Sequence, residues 1–255
     1  MASDATRAEL CICAAAEAWR HDGEVLASGI TVIPRLAASL ALSTFNPDLL
    51  ITDGECMLVS EPVPVGPRGD YQPKIEGWMP YRTSFELLWG GKRHIMGAPT
   101  QIDRFGATNI SCIGDHRKPK SQLLGARGFP GNSIHHAQSM WVPSHDRRSF
   151  VEKVDMVSSA GNDPARWKPG ARRDLMDLRL VVTNLCVLDF GGPGGTLRLV
   201  ALHPGVREEE VRENTGFELA RAESLGTTPE PSAEQLRLIR DVLDPHNLRA
   251  SALAG

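Results

Sequence analysis

Gly125, Gly128 and Gly131 fall within seven positions, in the run Leu124-Gly125-Ala126-Arg127-Gly128-Phe129-Pro130-Gly131-Asn132. Glycines at this density let a backbone approach a ligand closely. The amides of such a loop can cradle an oxyanion or a phosphate. Arg127 adds a cation with several fixed donors. A second group stands at Thr52-Asp53-Gly54-Glu55-Cys56, where two carboxylates follow the apolar run Leu49-Leu50-Ile51. Carboxylates suit nucleophile, general-base or proton-relay work. Asp53 equally suits the cap of a turn, and Glu55 the partner of an arginine. Other chemistries lack their residues. No GxGxxG follows a strand to open a helix, no GxxxxGK[ST] is present, and neither HExxH nor a paired Cys/His spacing occurs. His135 and His136 are adjacent and diverge in either a helix or a strand, which suits packing or capping better than a shared metal. No metal is expected.

The elements that must hold these residues read as α/β. Thr6-Arg7-Ala8-Glu9 is a capping box ahead of an apolar stretch through Trp19, the first helix. Glu24–Ala27 reads as a buried strand closed by Ser28-Gly29. Pro34 suits the first turn of a second helix to about Leu42, and Pro47–Thr52 reads as a second strand. Strand, helix, strand in that order argues for a parallel sheet. Pro62–Pro80, rich in Pro and Gly and carrying Glu76-Gly77-Trp78-Met79-Pro80, reads as a long loop of the kind that binds ligands. Thr83–Trp89 reads as a helix and His94–Met96 as a strand. Later strands are expected at Phe150–Val157, Leu178–Thr183, Leu185–Phe190 and Leu197–Leu202, with Gly191–Gly195 as a turn. Helices near Val206 and from Ser232 to Leu243 follow. No linker is evident, so 1–255 reads as a single domain.

Composition narrows the class further. The chain has 255 residues, 41% hydrophobic and 23% charged, with a formal charge of -3. That is ordinary globular composition without the basic excess that nucleic-acid binding requires. No apolar stretch approaches a membrane span, and the first residues lack signal-peptide features. Five cysteines without CxxC suit a reducing compartment, so a cytoplasmic protein is expected.

Gln101-Ile102-Asp103-Arg104-Phe105-Gly106-Ala107-Thr108-Asn109, followed by Lys118-Pro119-Lys120 and the Gly-rich loop, resembles the B subunit of family I CoA-transferases of the glutaconate and 3-oxoacid type. His203-Pro204-Gly205-Val206 and Glu210-Val211-Arg212-Glu213-Asn214-Thr215-Gly216-Phe217 resemble the C-terminal signature of those subunits. The resemblance runs from about Arg7 to Leu248. It implies a three-layer α/β/α domain around an open, mainly parallel sheet, paired with a separate A subunit, with the active site between the two. Asp103 and Arg104 are expected to form a structural pair.

The departures point to a narrower group. The transferases resembled here use a B-subunit glutamate as nucleophile, in a turn matching Thr52–Cys56. Asp53 holds the matching position, one methylene shorter, and Glu55 lies two residues on. Covalent attack needs reacting atoms about 3–3.5 Å apart, so the shorter arm is a handicap. Arg127 stands where the transferases carry small residues. With Glu76–Pro80, these features resemble the beta subunits of steroid ring-cleaving hydrolases. That resemblance implies hydrolytic retro-Claisen opening of a cyclic β-keto acyl-CoA, with the principal base a glutamate of the A (alpha) subunit, in an assembly expected as α2β2. Arg127 would stabilise the enolate or hold a substrate carboxylate, assisted by Gly125, Ala126 and Gly128. Asp53 and Glu55 would border the pocket and Trp78 would wall the ring site, with Asn109 and Asn132 among the substrate or CoA contacts. No cofactor is expected beyond the CoA of the substrate. Two alternatives remain at this point: a true CoA-transferase B subunit using Asp53 or Glu55, and a non-catalytic subunit that only binds CoA.

Overall fold

The computed structural model describes residues 4–135 and 137–253 of the chain; His136 lies outside them. Where the sequence suggests one domain over 1–255, the chain separates into two compact units. One is built from the chain up to Gly97 and from Pro229 onward, the other from Ala98–Thr228.

The first unit opens with α1 (Arg7–Ala16). The capping box forms: Glu9 N donates to Thr6 Oγ1 at 3.3 Å and Thr6 N to Glu9 Oε2 at 2.8 Å. Every residue from Ala8 to Ala16 is buried. The Ala and Cys side chains here are small enough for α2 (Val32–Thr44) to pack closely on α1. β1 (Leu26–Gly29) precedes α2. Of the expected strand Pro47–Thr52, only β2 (Ile51–Thr52) and a parallel bridge from Leu50 to Leu26 form. β2 joins β3 (Met57–Val59) and β4 (Ile75–Trp78) in a small antiparallel sheet, so the Pro/Gly-rich stretch ends in a strand. α3 (Tyr81–Trp89) leads to β5 (Arg93–Gly97), which pairs in parallel with β1.

The second unit begins with two short hairpins, β6 (Gln101–Ile102) with β7 (Thr108–Asn109), and β8 (Cys112–Ile113) with β9 (Ser121–Gln122). α4 (Phe129–His135) follows. Five strands then pair in the order β10 (Ala137–Val142), β11 (Asp177–Thr183), β12 (Cys186–Asp189), β13 (Arg198–Leu202) and β14 (Ala220–Thr227), with α5 (Glu208–Glu213) ahead of β14. The β10–β11 and β13–β14 pairs are parallel, and the two between them are antiparallel. The core gathers Ile102, Met140, Phe150, Val181, Leu188 and Leu199. α6 (Ala233–Arg237), behind a second capping box at Ser232, returns the chain to the first unit. Elements and pairings place the protein in the α/β class.

Phe150–Val157 is not the expected strand. Only Phe150 and Val154 of this run point inward, and four-residue spacing does not match a pleat. The Asp155 carboxylate instead accepts from Gly114 N at 2.9 Å and Gln101 Nε2 at 3.2 Å, holding the segment as a bonded loop. Gly191–Gly195 is a turn, as expected.

Candidate active site

β1 delivers the chain to Gly29, Ile30 and Thr31, and α2 starts at Val32. A Cβ on Gly29 would come within 2.3 Å of the Pro34 carbonyl oxygen, so only glycine lets the helix turn back this tightly. Thr31 has φ 75° and ψ 176°, a region that is essentially glycine's own and costs another residue about 1–3 kcal/mol. Arg35 sits one residue after Pro34, and its Nη2 donates to the Asp53 carbonyl at 3.0 Å.

The Asp53 turn is tightly bonded. Asp53 Oδ1 accepts from Glu55 N at 2.9 Å and Met57 N at 3.2 Å, and Oδ2 lies 3.4 Å from Arg68 Nη1. Arg68 Nη2 also donates to the Asp53 carbonyl. Burial would raise this carboxyl, but the two amides and Arg68 outweigh it and hold it below the ordinary aspartate value. With 7% of its side chain exposed, Asp53 anchors the turn and leaves no free carboxylate face. Gly54, at φ +95°, lies against Arg35, where a Cβ would come within 2.6 Å of Nη1. Glu55 is exposed and lines a cavity of about 540 Å³. The same cavity is lined by the Gly29–Val32 loop, Arg35, Tyr81, Ser84 and Arg93. Of the two candidate carboxylates, Glu55 is the one the turn presents.

In the second unit, the Gly-rich loop is fastened at both ends. Gly125 N donates to the Ile110 carbonyl at 3.2 Å, Phe129 N to Ala126 O at 3.1 Å, and Asn132 N to Gly128 O at 3.0 Å. Between these ties the amides of Ala126, Arg127 and Gly128 meet no acceptor among the described residues. Arg127 is exposed and left-handed, at φ 49°, so a non-glycine residue carries the bend. Successive free amides beside a left-handed residue form a concave anion nest. Asn132 is buried beneath it, and its Oδ1 has no partner among the described residues. A buried orphan acceptor calls for a donor from water or a ligand.

Other expected contacts have structural duties. Asn109 is fully buried; its Nδ2 donates to Gln101 Oε1 and to the Cys112 carbonyl, both at 2.7 Å, and its Oδ1 accepts from Ser111 N at 2.9 Å. It clasps the hairpin and has no donor left for a substrate. Asp103 pairs with Arg166 at 2.5 Å and Arg104 with Glu152 at 2.7 Å, so the expected Asp103–Arg104 pair does not form. Asp103 Oδ1 caps the β6–β7 turn through Phe105 N and Ala107 N, which points its other oxygen away from Arg104. Trp78 is 69% exposed and pairs across the small sheet with Met57; the cavity is walled by Met79 and Tyr81 instead. His203 donates to the Thr183 carbonyl from Nε2 at 2.8 Å, a clasp within the second unit. Sequence reasoning passed over Ser28, Thr31, Arg35 and Arg93. Their signal was positional: ligands in α/β sheets gather where a strand's carboxyl end turns into a helix, and Ser28–Pro34 is such a turn. No group of three or more His, Cys, Asp or Glu among the described residues is placed to hold a metal, and no described helix is long and apolar enough to cross a membrane.

The fold and the two loops define a CoA-transferase-type B subunit. The glutaconate CoA-transferase structure from Acidaminococcus fermentans matches with a TM-score of 0.79 at 27% identity, over 96% of this chain and 97% of that one. The chain belongs to the family of cholesterol ring-cleaving hydrolase IpdB subunits. The Rhodococcus jostii RHA1 protein of that name is 44% identical over 247 residues, 97% of this chain and 96% of its own length. The crystal structure of Rhodococcus jostii RHA1 IpdAB matches with a TM-score of 0.90 at 43% identity, covering 98% of this chain and 99% of that one. No family model matches the sequence.

Proposed function

We propose that this chain is the beta subunit of a heteromeric hydrolase that opens the ring of a cyclic β-keto acyl-CoA in steroid C/D-ring degradation. Water adds to the ring ketone. The bond from that carbon to the carbon beside the thioester then breaks, and its electron pair moves onto the thioester carbonyl as an enolate. Protonation of the enolate carbon leaves an open-chain acyl-CoA, and the former ketone carbon becomes a carboxylate. The step balances with water and protons alone, so no cofactor beyond the CoA of the substrate is invoked. The principal base belongs to the partner alpha subunit. Arg127 and the amides of Ala126 to Gly128 meet the negative charge that develops on the thioester oxygen, a role of the oxyanion-hole kind. Glu55 borders the pocket as a proton relay. The assembly is read as α2β2 and its compartment as the cytoplasm, in keeping with five cysteines that are all free.

The observation that carries hydrolysis over CoA transfer is the state of Asp53. At the position of the transferase nucleophile, its carboxylate is bonded to two amides and to Arg68 inside its own turn. The test uses the complex with its alpha subunit, a cyclic β-keto acyl-CoA and ¹⁸O-water, without acceptor acid. Ring-opened acyl-CoA with solvent ¹⁸O in a new carboxylate and an intact thioester is expected. Turnover only when an acceptor carboxylate is added, with CoA moving to it, would return Glu55 as a nucleophile.

A further inference from the structure

The cavity of the first unit holds two arginines that make no direct ion pair with a carboxylate among the described residues. Arg93 opens β5, and its side chain reaches forward so that Nε donates to Ser28 Oγ at 2.9 Å. That is its one hydrogen bond among the described residues; both Nη atoms are left over, and it makes no ion pair among them. Arg35 is tied to a carbonyl, that of Asp53, and has the Asp53 carboxylate and the Arg68 cation as opposed charged neighbours, so Arg93 is the arginine with no charge partner among the described residues. Burial works against the charged form of both guanidinium groups. An arginine does not give up its proton under such conditions, so a half-buried pair is stabilised by an anion instead. Among the described residues Glu55 is the cavity's one lining carboxylate, and it is exposed, so this lining carries one more positive charge than negative.

The rest of the lining says what the anion is attached to. Ile51, Val63, Val65 and Met79 are buried, apolar, and face the same space of about 540 Å³. A hydrocarbon body with one charged end fits such walls better than a bare phosphate does. We propose that this cavity takes the acyl portion of the substrate and that Arg93, with Arg35 beside it, binds a carboxylate carried on that acyl group. Arg93 is thereby a specificity-determining residue that selects acyl-CoA substrates bearing a second acid. The proposal rests on the reading of this chain as an acyl-CoA-handling subunit and adds the charge and location of a second recognition point.

The experiment compares a cyclic β-keto acyl-CoA bearing a side-chain carboxylate with its methyl ester, on the complex with the alpha subunit. The wild-type complex should prefer the acid in kcat/KM. In Arg93→Leu that preference should collapse by about 10- to 100-fold, the range expected when a charge-assisted hydrogen bond is lost. Arg93→Lys, which keeps the cation, should retain most of it. An unchanged acid-to-ester preference in Arg93→Leu overturns the proposal. So does an equal loss on acid and ester that disappears with a 3′-dephospho-CoA thioester, because the anion would then be the nucleotide phosphate. Calorimetric binding of the acid and ester forms is measured in parallel. It reads the Arg93 preference even if the wild-type complex cleaves no ring, which separates failure of this inference from failure of the hydrolase reading.

Discussion

At the scale of single residues, the candidate groups of the two units divide into those that are held and those that are free. Asp53 is held: it satisfies two amides and Arg68. Arg127 makes no side-chain bond among the described residues: it projects from a bend it carries itself, where its own amide and those of Ala126 and Gly128 meet no acceptor among them. Different substitutions should therefore read out differently. Arg127→Ala in the assembled complex should lower kcat by about 10²–10³-fold, the typical loss on removing one oxyanion donor. Assembly by gel filtration should be unchanged, and Arg127→Lys should recover part of the rate. A kcat within a few-fold of wild type would show that this chain binds CoA without taking part in the chemistry. Asp53→Ala should act first on stability. Two amides lose their acceptor, which costs about 1–3 kcal/mol in a denaturant titration, and Glu55 loses the turn that presents it. Asp53→Asn keeps an acceptor for both amides and should lose less. If Asp53→Asn abolished turnover while matching wild type in stability, Asp53 would have a direct chemical role.

At the scale of elements, the strand-to-helix connection from β1 into α2 carries most of what is unusual in the first unit. Gly29 admits the close return of Pro34, and Thr31 bears a backbone angle suited to glycine. Thr31→Gly should relieve that strain and raise the thermal midpoint, with a net gain of about 1 kcal/mol once the added freedom of the unfolded chain is subtracted. A lowered midpoint would show that the Thr31 side chain contributes more than its backbone costs. Short-range signals in this part of the chain were legible. Thr6–Glu9 and Ser232–Gln235 both form the capping boxes their residue types require. Pro34 sits in the first turn of α2, and Gly191–Gly195 turns. Arg127 with Gly125 and Gly128 forms the loop the sequence suggests, whereas Gly131 and Asn132, expected in the same loop, fall inside α4. Long-range pairings were not legible. β10 is buried from Gln138 to Val142 yet contains Gln138 and Ser139, so it lacks a long apolar run, and β14 alternates weakly along mostly exposed residues. Asn109 looked like a ligand contact because its partners Gln101 and Cys112 meet it only when the hairpins form. Arg93 was passed over because its meaning depends on Ser28, across a strand pair and 65 positions away.

At the scale of the whole molecule, each unit contains a buried titratable group whose large shift makes its protonation oppose folding, Glu9 in the first and His145 in the second, and the two should weaken the chain in acid over separate pH ranges. In the first unit, Glu9 of α1 is fully buried and meets Arg240 at 2.8 Å and Arg249 at 2.9 Å, which fastens the returning C-terminal segment to the first helix. Burial alone would raise its carboxyl, but the bonds from Arg240 and Thr6 prevail and lower it from 4.5 to about 2. A carboxyl depressed in the folded state contributes stability that is complete above its unfolded value and lost as pH falls through the folded one. The window is therefore about 4.5 down to about 2, and the full loss is on the order of 3 kcal/mol. In the second unit, His145 is buried between the hydroxyls of Thr183 and Thr215 and stacks on Phe150 at 3.8 Å. Burial pushes its imidazole from 6.5 down to about 3. The unfolded chain takes up this proton first, so stability falls as pH drops below 6.5 and goes on falling to about 3. Denaturant midpoints measured from pH 7 to pH 3 should thus decline from about 6.5 and steepen below about 4.5. Glu9→Gln should lower stability at pH 7 and remove the steepening, and His145→Gln should flatten the upper limb while leaving the steepening in place. A His145→Gln profile that still declines between pH 6.5 and 4.5 would assign the upper limb to another group, and an unaltered steepening in Glu9→Gln would do the same for the ion pairs that join α1 to the returning chain.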